Sequence, residues 1–387
     1  MPKGIWALGF VSLFMDVSSE MIHSLLPLFM VGVMGLSATT IGLIEGVAEA
    51  TALIVKVFSG ALSDYLGKRK VLAVIGYGMG AASKPLFAIA NSAGMILTAR
   101  FVDRIGKGIR GAPRDALVAD LCPPHMRGAA FGLRQSLDTV GAFAGPLLAV
   151  ALMLLWHDDY RAVFAVAIIP AVLAVMLLLF GVKEPSTPVE HRKVNPISRE
   201  QLKLLPRAYW HIVVIGGVFT LARFSEAFLV LKAQQVGVAV PLVPLVMVGM
   251  NVVYAGAAYP FGWLSDRMSH HKLLAMGLLT LLLADVALAS AQSWPMLLAG
   301  VTLWGVHLAM TQGLLATMVA DVAPANLRGT AFGVFNLVSG VVMLLASVFA
   351  GVMWDVWGAS FTFIFGAVFC ALTLIILLVL KVSQKDR

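Results

Sequence analysis

Residues 60–70 read GALSDYLGKRK, and the first five positions return as GWLSD at residues 262–266, a shift of 202 positions. A second stretch, VAD at residues 118–120, returns unchanged at residues 319–321, a shift of 201 positions. Both copies of VAD are followed by an Arg-Gly pair and then by Ala-Phe-Gly. Two matches at nearly the same offset indicate an internal duplication. The sequence therefore predicts two related halves in parallel arrangement, with a binding site expected at their interface.

The composition around these repeats is that of a membrane protein. Of the 387 residues, 60% are hydrophobic and 12% are charged, and the mean hydropathy is +0.91. A soluble domain carries roughly 25% charged residues, so this chain cannot build a water-soluble surface of its length. An ordinary cytosolic enzyme, a disordered chain and a collagen-like chain are excluded. We predict an all-α polytopic membrane protein.

Twelve apolar windows can be recognised along the chain. They cover residues 4–30, 41–62, 71–90, 95–118, 129–155, 161–181, 209–231, 241–264, 272–291, 294–320, 330–353 and 358–381. Each window is long enough to cross about 30 Å of hydrocarbon as a helix. We therefore predict an N-terminal six-helix half at 1–181, a cytoplasmic central loop at 182–207 and a C-terminal six-helix half at 208–387. A short amphipathic helix is expected at 198–205, inside the loop.

Lysine and arginine are concentrated in the loops on one side of the predicted membrane. The loops on the opposite side carry little beyond Arg161 and Lys232, whereas the central loop and both termini are basic. Because cytoplasmic loops are the ones enriched in lysine and arginine, both termini are predicted to be cytoplasmic. The formal charge of +8 then reflects topology in a cell inner membrane, and no nucleic-acid partner is expected.

Three motifs in the first half resemble those of a known transporter family. One is Gly60-x-Leu62-x-Asp64-x-x-Gly67-Lys68-Arg69-Lys70, which is similar to a loop signature after the second helix. Another is Arg104-Ile-Gly-Lys107-Gly108, similar to a fourth-helix arginine motif. The third is Gly132-(x)8-Gly141-(x)3-Gly145-Pro146, similar to a fifth-helix signature of antiporters, with Ala149-Val150 in place of its last glycine pair. On these motifs the chain resembles a major facilitator superfamily transporter.

The resemblance extends over essentially the whole chain and implies the major facilitator fold of 12 transmembrane helices in two pseudo-symmetric halves. It also implies a secondary active transporter that works by alternating access. The antiporter-like motif implies export by exchange. A second interpretation of its small residues is close helix packing with no directional meaning.

Charged residues and glycines at the cytoplasmic helix ends form a predicted gate. A carboxylate there can accept hydrogen bonds from helix N-terminal amides or pair with an arginine. The predicted gate consists of Gly60, Asp64, Gly67, Lys68, Arg69, Arg114, Asp120, Arg127, Asp266, Asp321 and Arg328. We expect it to stabilise an outward-facing state; the alternative is that these charges are solvated and only fix the topology.

The fourth predicted helix carries a basic stripe. Arg100, Arg104, Lys107 and Arg114 are spaced by four, three and seven residues, so they share one helix face. Such a face cannot meet lipid. Either it binds an anionic or zwitterionic substrate, or acidic residues of neighbouring helices neutralise it. The corresponding helix of the second half is nearly neutral, so the two halves differ chemically.

Carboxyl groups at membrane depth are candidates for proton coupling, because their placement there is costly. A carboxyl that alternates between an apolar and a cation-paired environment can take up and release a proton. The candidates are Glu20, Glu49, Asp16 and Glu226. We favour Glu20 or Glu49 as the proton site, with Arg104 as the competing cation.

Further polar and aromatic residues are candidates for the substrate cavity, although packing is the commoner role of such aromatics. The cavity candidates are Arg104, Lys107, Arg100, His23, Arg223, Asn251, Tyr254, Trp304 and His307. In the second half the intramembrane ionisable residues are Arg223, Glu226, Asp285 and His307.

These features predict proton-coupled antiport of a small solute, that is, efflux. The alternative is a proton-coupled symporter or exchanger of an organic anion, such as a carboxylate or a phosphate ester. A membrane enzyme or receptor is a distant third class, because no nucleophile–base motif and no P-loop occur in the sequence. The two cysteines, Cys122 and Cys370, are too few for a structural zinc site. We expect no metal and no cofactor; the expected partners are the solute, protons and lipid, and a monomer would suffice.

Overall fold

The computed structural model describes residues 1–66, 68–123, 126–183, 202–265, 267–324 and 327–379. All regular secondary structure in these ranges is helical, which confirms the predicted all-α class. The first half contains α1 (Lys3–His23), α2 (Leu26–Gly32), α3 (Ala38–Leu66), α4 (Arg69–Ile89), α5 (Ala93–Leu121), α6 (Arg127–Leu155), α7 (Tyr160–Val166) and α8 (Ile168–Gly181). The second contains α9 (Arg207–Ala222), α10 (Ala227–Gln235), α11 (Leu245–Ser265), α12 (His270–Ser290), α13 (Trp294–Thr311), α14 (Leu314–Val322), α15 (Arg328–Trp357) and α16 (Ala359–Val379).

Among the described residues, ten helical stretches are long and apolar enough to cross a membrane. The protein is therefore a multi-pass membrane protein. Two further long helices, α3 and α5, have 29 residues each and carry many of the intramembrane charges of the first half. The predicted count of 12 spans includes both and stays a prediction. Most of the central loop, with the helix expected at 198–205, lies outside the described residues.

Several spans are interrupted near their middle. The first span breaks between α1 and α2 at Ser24 and Leu25, just before Pro27, whose ring cannot donate a backbone hydrogen bond. The seventh breaks between α9 and α10 at residues 223–226, where Arg223 leaves the helical conformation. These two breaks are related by the same shift of about 201 positions as the sequence repeats. Ser24 and Leu25 keep right-handed helical dihedral angles, whereas Arg223 departs from them. Because non-helical backbone at membrane depth is tolerated only inside protein or beside a cavity, the break at residues 223–226 marks a candidate functional position.

The described residues form two compact units. The first unit takes in those within Met1–Leu36, Val47–Asn195 and Ala239–Val248, and the second those within Ser37–Gly46, Pro196–Val238 and Gly249–Arg387. Each unit thus includes a short segment from the other half of the sequence. Two of the unit boundaries, after Gly46 and after Val248, fall inside α3 and α11.

In the second unit, the beginning of α3 is capped by a carboxylate from α15. Asp355 accepts hydrogen bonds from the backbone N–H groups of Ala38, at 3.0 Å, and Thr39, at 2.8 Å. It also accepts one from Thr39 Oγ1, at 2.6 Å. A carboxylate at this place satisfies amides that lack a partner within the helix and complements the helix dipole. Asp355 is therefore an example of a fully engaged carboxylate in this protein.

Candidate functional site

In the first unit, α4 and α5 approach each other closely enough to pair their charged side chains. A Cβ atom added to Gly76 would lie 2.7 Å from the carbonyl oxygen of Gly106, and one added to Gly106 would lie 2.5 Å from that of Gly76. Only glycine permits this backbone approach. The close contact brings Lys84 of α4 next to Asp103 of α5, so it positions the central ion pair of the site.

Lys84 and Asp103 form a buried ion pair. Lys84 Nζ donates to Asp103 Oδ1 at 2.8 Å and to Ser19 Oγ of α1 at 3.0 Å. Lys84 is 1% exposed and Asp103 is 5% exposed, so neither charge is screened by water. Burial of either charge alone would be strongly unfavourable, and the pair compensates both. This pair connects three helices of the first unit.

Arg104 pairs with a different carboxylate, on α3. Its Nη2 lies 3.2 Å from Glu49 Oε1, and its Nε lies 4.0 Å from Asp103 Oδ2. The Glu49 side chain is 32% exposed, whereas that of Arg104 is 6% exposed. The pair thus joins a buried cation to a carboxylate that remains accessible.

A third group of charged side chains joins the later part of α5 to α6. Arg114 Nε lies 3.2 Å from Asp115 Oδ1, and Arg114 Nη1 donates to Ser12 Oγ at 3.3 Å. Arg134 Nη1 donates to Asp138 Oδ2 at 2.7 Å, one helical turn along α6. Arg114 Nη1 also lies 4.0 Å from Asp138 Oδ2, which links the two pairs.

The stripe is thus partly, but not uniformly, neutralised. Arg104 and Arg114 have acidic partners, and Arg100 is buried. Lys107 is exposed and lies within electrostatic range of Glu49, Asp16 and Glu20. It forms no hydrogen bond or ion pair with the part of the chain that the structure describes. Lys107 is therefore the member of the stripe whose ammonium group is available.

The antiporter-like glycines of α6 pack against the acidic face of α1. A Cβ atom on Gly141 would lie 2.8 Å from Asp16 Cβ, and one on Gly145 would lie 2.8 Å from Glu20 Cβ. Glu20 in turn lies 3.5 Å from His23 Nδ1, an ion pair when the histidine is protonated. Gly132 has no atom within 4 Å of an added Cβ among the described residues. The motif thus brings two proton-coupling candidates against a closely packed helix.

This packing gives a direct test of the glycines. We expect Gly145→Ala to lower the free energy of unfolding by about 1–3 kcal/mol, because the added methyl group overlaps the backbone of α1. Gly132→Ala is the matched control, since the methyl group meets open space and alanine favours the helix by up to about 1 kcal/mol. Thermal unfolding of the purified variants in detergent would measure both effects. Equal stability of the two variants would contradict the packing role.

Some of the residues predicted to form the gate contact one another or a neighbouring helix. Arg69 forms an ion pair with Asp120, and its Nη1 donates to the carbonyl oxygen of Ala116 at 3.4 Å. Gly60 lies near Ala112, whose Cβ would be 3.6 Å from an added Cβ. Of the remaining predicted members, Lys68, Arg127, Asp321 and Arg328 are exposed. Gly67, Asp266 and the side chain of Asp64 lie outside the described residues.

The second half repeats one ion pair of the gate with a changed cation. His270 Nδ1 lies 3.2 Å from Asp321 Oδ2, and both residues correspond to Arg69 and Asp120 at a shift of 201 positions. The sequence analysis names Asp120 and Asp321 as predicted gate residues but does not name His270. The repeat offset could have identified it. Its pair is an ion pair only when the histidine carries a proton.

The cavity candidates of the second half differ in their surroundings. Arg223 lies in the break after α9, over the ring of Phe219 at 5.6 Å from its centroid, and within electrostatic range of Glu226 and Tyr254. Asn251 and Tyr254 are half-buried on α11. Trp304 and His307 lie within helix packing, at 1% and 0% exposure. His307 Nδ1 contacts the Gly277 carbonyl oxygen at 2.9 Å.

Sequence reasoning did not single out Lys84, Asp103, Arg134 or Asp138 as site residues. The available signal was that each is charged and lies inside an apolar window. No group of three or more His, Cys, Asp or Glu side chains within the described ranges could hold a metal ion.

A sequence profile of the Major Facilitator Superfamily matches residues 8–232 and 213–387, which cover nearly the whole chain. The chain belongs to the major facilitator superfamily. Membership confirms the resemblance of the three motifs, and the family consists of transporters, so the protein is a transporter rather than an enzyme.

Individual relatives agree with this assignment. An uncharacterised MFS-type transporter of Methanocaldococcus jannaschii is 31% identical over 386 residues, which are 98% of this chain and 95% of the relative. The quinolone resistance protein NorA of Staphylococcus aureus is 24% identical over 223 residues, which are 57% of this chain and 55% of NorA.

Solved structures show the same fold. A bacterial homologue of the human lysosomal transporter Spinster, in an inward-facing and occupied conformation, matches with a TM-score of 0.81 at 17% identity. The match covers 99% of this chain and 98% of the homologue. At this identity the likeness establishes the fold of the chain and nothing about its substrate.

Proposed function

We propose that this protein exports a small solute across the cell inner membrane in exchange for protons. In this proposal the chain crosses the membrane 12 times with both termini in the cytoplasm, and its halves, 1–181 and 208–387, alternate access to the solute. The similarity to NorA, a quinolone resistance protein, supports export. The observation that carries the proposal is the Glu49–Arg104 ion pair, in which an accessible carboxylate faces a buried cation.

The pair supports a simple exchange mechanism. In an exchange, the solute and the proton occupy the site in turn: an amino group of a zwitterionic solute binds the ionised Glu49 on the cytoplasmic side, and its anionic group lies near the neighbouring cations. On the other side of the membrane a proton binds Glu49, the carboxylate loses its charge and the solute leaves. The proton is then carried inward and released, so the proton and the solute move in opposite directions. A carboxyl whose charge state is controlled by a neighbouring cation is suited to this task. Glu20, beside His23, is the second carboxyl positioned for such an exchange.

The packing of α6 against α1 supports exchange rather than leak. Gly141 and Gly145 hold α6 against the backbone around Asp16 and Glu20. Close packing of this kind leaves no room for water between the two helices. Protons would then cross only together with a conformational change. In the same proposal, the Arg69–Asp120 pair stabilises the closed cytoplasmic side and breaks when that side opens.

A second candidate function is the symport or exchange of an organic anion, a carboxylate or a phosphate ester. Lys107 favours it, because its ammonium group is exposed beside Arg104 and has no partner among the described residues. An ammonium group and a guanidinium group together suit a carboxylate or phosphate. The two candidates differ in the direction of proton movement relative to that of the solute.

Proton movement in vesicles tests both candidates. A library of carboxylates, phosphate esters, zwitterions and cationic drugs would first be screened by thermal stabilisation of the purified protein. The stabilising compounds would then be added to proteoliposomes that contain a pH-sensitive dye. Proton movement opposite to the solute supports antiport, whereas movement with the solute supports symport. Solute transport without proton movement would contradict proton coupling, and stabilisation by cations alone would contradict an anionic solute.

A further inference from the structure

The second unit contains a carboxyl group with an unusual environment. Asp285 lies in the last third of α12 and is completely buried. Neither of its carboxyl oxygens has a hydrogen-bond partner among the described residues, and no cation of the described chain lies within ion-pair distance. The contrast with Asp355 in the same unit is clear, because both oxygens of Asp355 accept hydrogen bonds.

The space around Asp285 is apolar and shaped for its carboxyl group. A Cβ atom added to Gly366 of α16 would lie 2.5 Å from Asp285 Oδ2 and 3.0 Å from the ring of Phe224. Any larger residue at position 366 would displace the carboxyl group. Phe224 also stacks with Trp304 and Phe363, at centroid distances of 5.6 and 5.7 Å. These rings close the pocket on the side of the break at 223–226.

The titratable groups on the neighbouring elements do not compensate a charge on Asp285. On α13, His307 is bound to the carbonyl oxygen of Gly277, which lies eight residues, or about 12 Å, from Asp285 along α12. On α16, the titratable side chain is the thiol of Cys370, one turn after Gly366. In the break, Arg223 faces Phe219, Glu226 and Tyr254. Asp321 of α14 pairs with His270 at the end of α12.

An ionised carboxylate in this position would be a buried charge without compensation, which is far less favourable than the neutral acid. Binding of one proton neutralises the carboxyl group, and the neutral acid can be accommodated beside Phe224 and Gly366. We propose that Asp285 is a proton-binding site of the second half, occupied at neutral pH in this conformation.

In this proposal the site gives the second half a chemical role of its own. Asp285 Oδ2 and the ring of Phe224 both lie next to Gly366, and Phe224 belongs to the break that carries Arg223 and Glu226. Release of the proton would create an uncompensated charge close to the break and favour a different conformation of it. The second half would thereby respond to protons through Asp285, independently of Glu49.

Infrared spectroscopy tests the proposal without any substrate. The wild-type protein and Asp285→Asn would be reconstituted in lipid vesicles and compared at neutral pH. We expect the carbonyl stretching band of a protonated carboxylic acid in the wild type, shifted in heavy water, and its loss in Asp285→Asn. Asp355→Asn is the matched control and should remove carboxylate absorption only. Loss of carboxylate absorption in Asp285→Asn would overturn the proposal.

A second measurement uses the wild type alone, in case the variant does not fold. Dicyclohexylcarbodiimide is apolar and reacts with protonated carboxyl groups, so labelling at neutral pH followed by peptide mass spectrometry should find the adduct on Asp285 and not on Asp355. Labelling of Asp285 should fall as the pH is raised. A failure to label Asp285 while other buried carboxyls react would contradict the proposal. Neither measurement depends on transport, so a failure of the Asp285 proposal can be distinguished from a failure of the antiport proposal.

Discussion

Replacement of Asp103 by asparagine is expected to lower the free energy of unfolding by about 3–5 kcal/mol. The substitution leaves the shape of the side chain unchanged but removes its charge. Lys84 Nζ, which now donates to Asp103 Oδ1 at 2.8 Å and to Ser19 Oγ at 3.0 Å, would keep a buried charge with neutral acceptors in place of the carboxylate that compensates it. Unfolding of the purified variant by heat and by a denaturing detergent, in parallel with the wild type, would measure the loss.

Two further variants separate the ion pair from a general effect of charge removal. Asp115→Asn, on the same helix, changes a carboxylate that is 44% exposed, and its pair with Arg114 should contribute less than about 1 kcal/mol. The double variant Lys84→Met with Asp103→Leu replaces the pair by apolar groups of similar size and should recover most of the stability. If Asp103→Asn were as stable as Asp115→Asn, the buried pair would not stabilise the fold.

Much of the fold was predictable, because membrane spans are long and their composition is extreme. The repeat offset of 201 to 202 positions related the halves and identified Asp120 and Asp321 as equivalent residues. The breaks at Ser24 and at residues 223–226 were not predicted, although they follow the same offset. A break in an apolar helix depends on tertiary contacts that satisfy the released backbone groups, and the sequence pattern does not contain them.

The site was less predictable, since its chemistry depends on helix rotation. Asp103 and Arg104 are adjacent in sequence, yet Asp103 pairs with α4 and Arg104 with α3. The stripe spacing predicts Arg104 and Arg114 on one side of α5, but it could not show which cation has an acidic partner. That depends on the close approach of Gly76 and Gly106, which sets the depth of Lys84 beside Asp103. The sequence places Asp285 inside an apolar window and Asp355 just after one, but only packing shows that Asp285 has no hydrogen-bond partner among the described residues whereas Asp355 caps α3.

Replacement of Glu49 by glutamine is expected to abolish proton movement driven by the solute while binding of an anionic solute is retained. Glutamine has nearly the shape of glutamate but cannot exchange a proton. Arg104 then has no carboxylate at 3.2 Å to compete with the solute. A hydrogen bond to a charged group contributes about 1.5–3 kcal/mol, so its removal as a competitor should tighten solute binding by about tenfold or more.

Solute binding and dye-reported proton flux, measured on the same proteoliposome preparation, distinguish this result from a loss of folding. Glu49→Asp is the control that keeps the charge; it should retain proton movement at a reduced rate, because the shorter side chain holds Arg104 less well. A variant that binds the solute tightly yet moves no protons identifies Glu49 as the coupling carboxyl. If Glu49→Gln still moved protons with the solute, the exchange would depend on another carboxyl, and Glu20 beside His23 would be the next residue to replace.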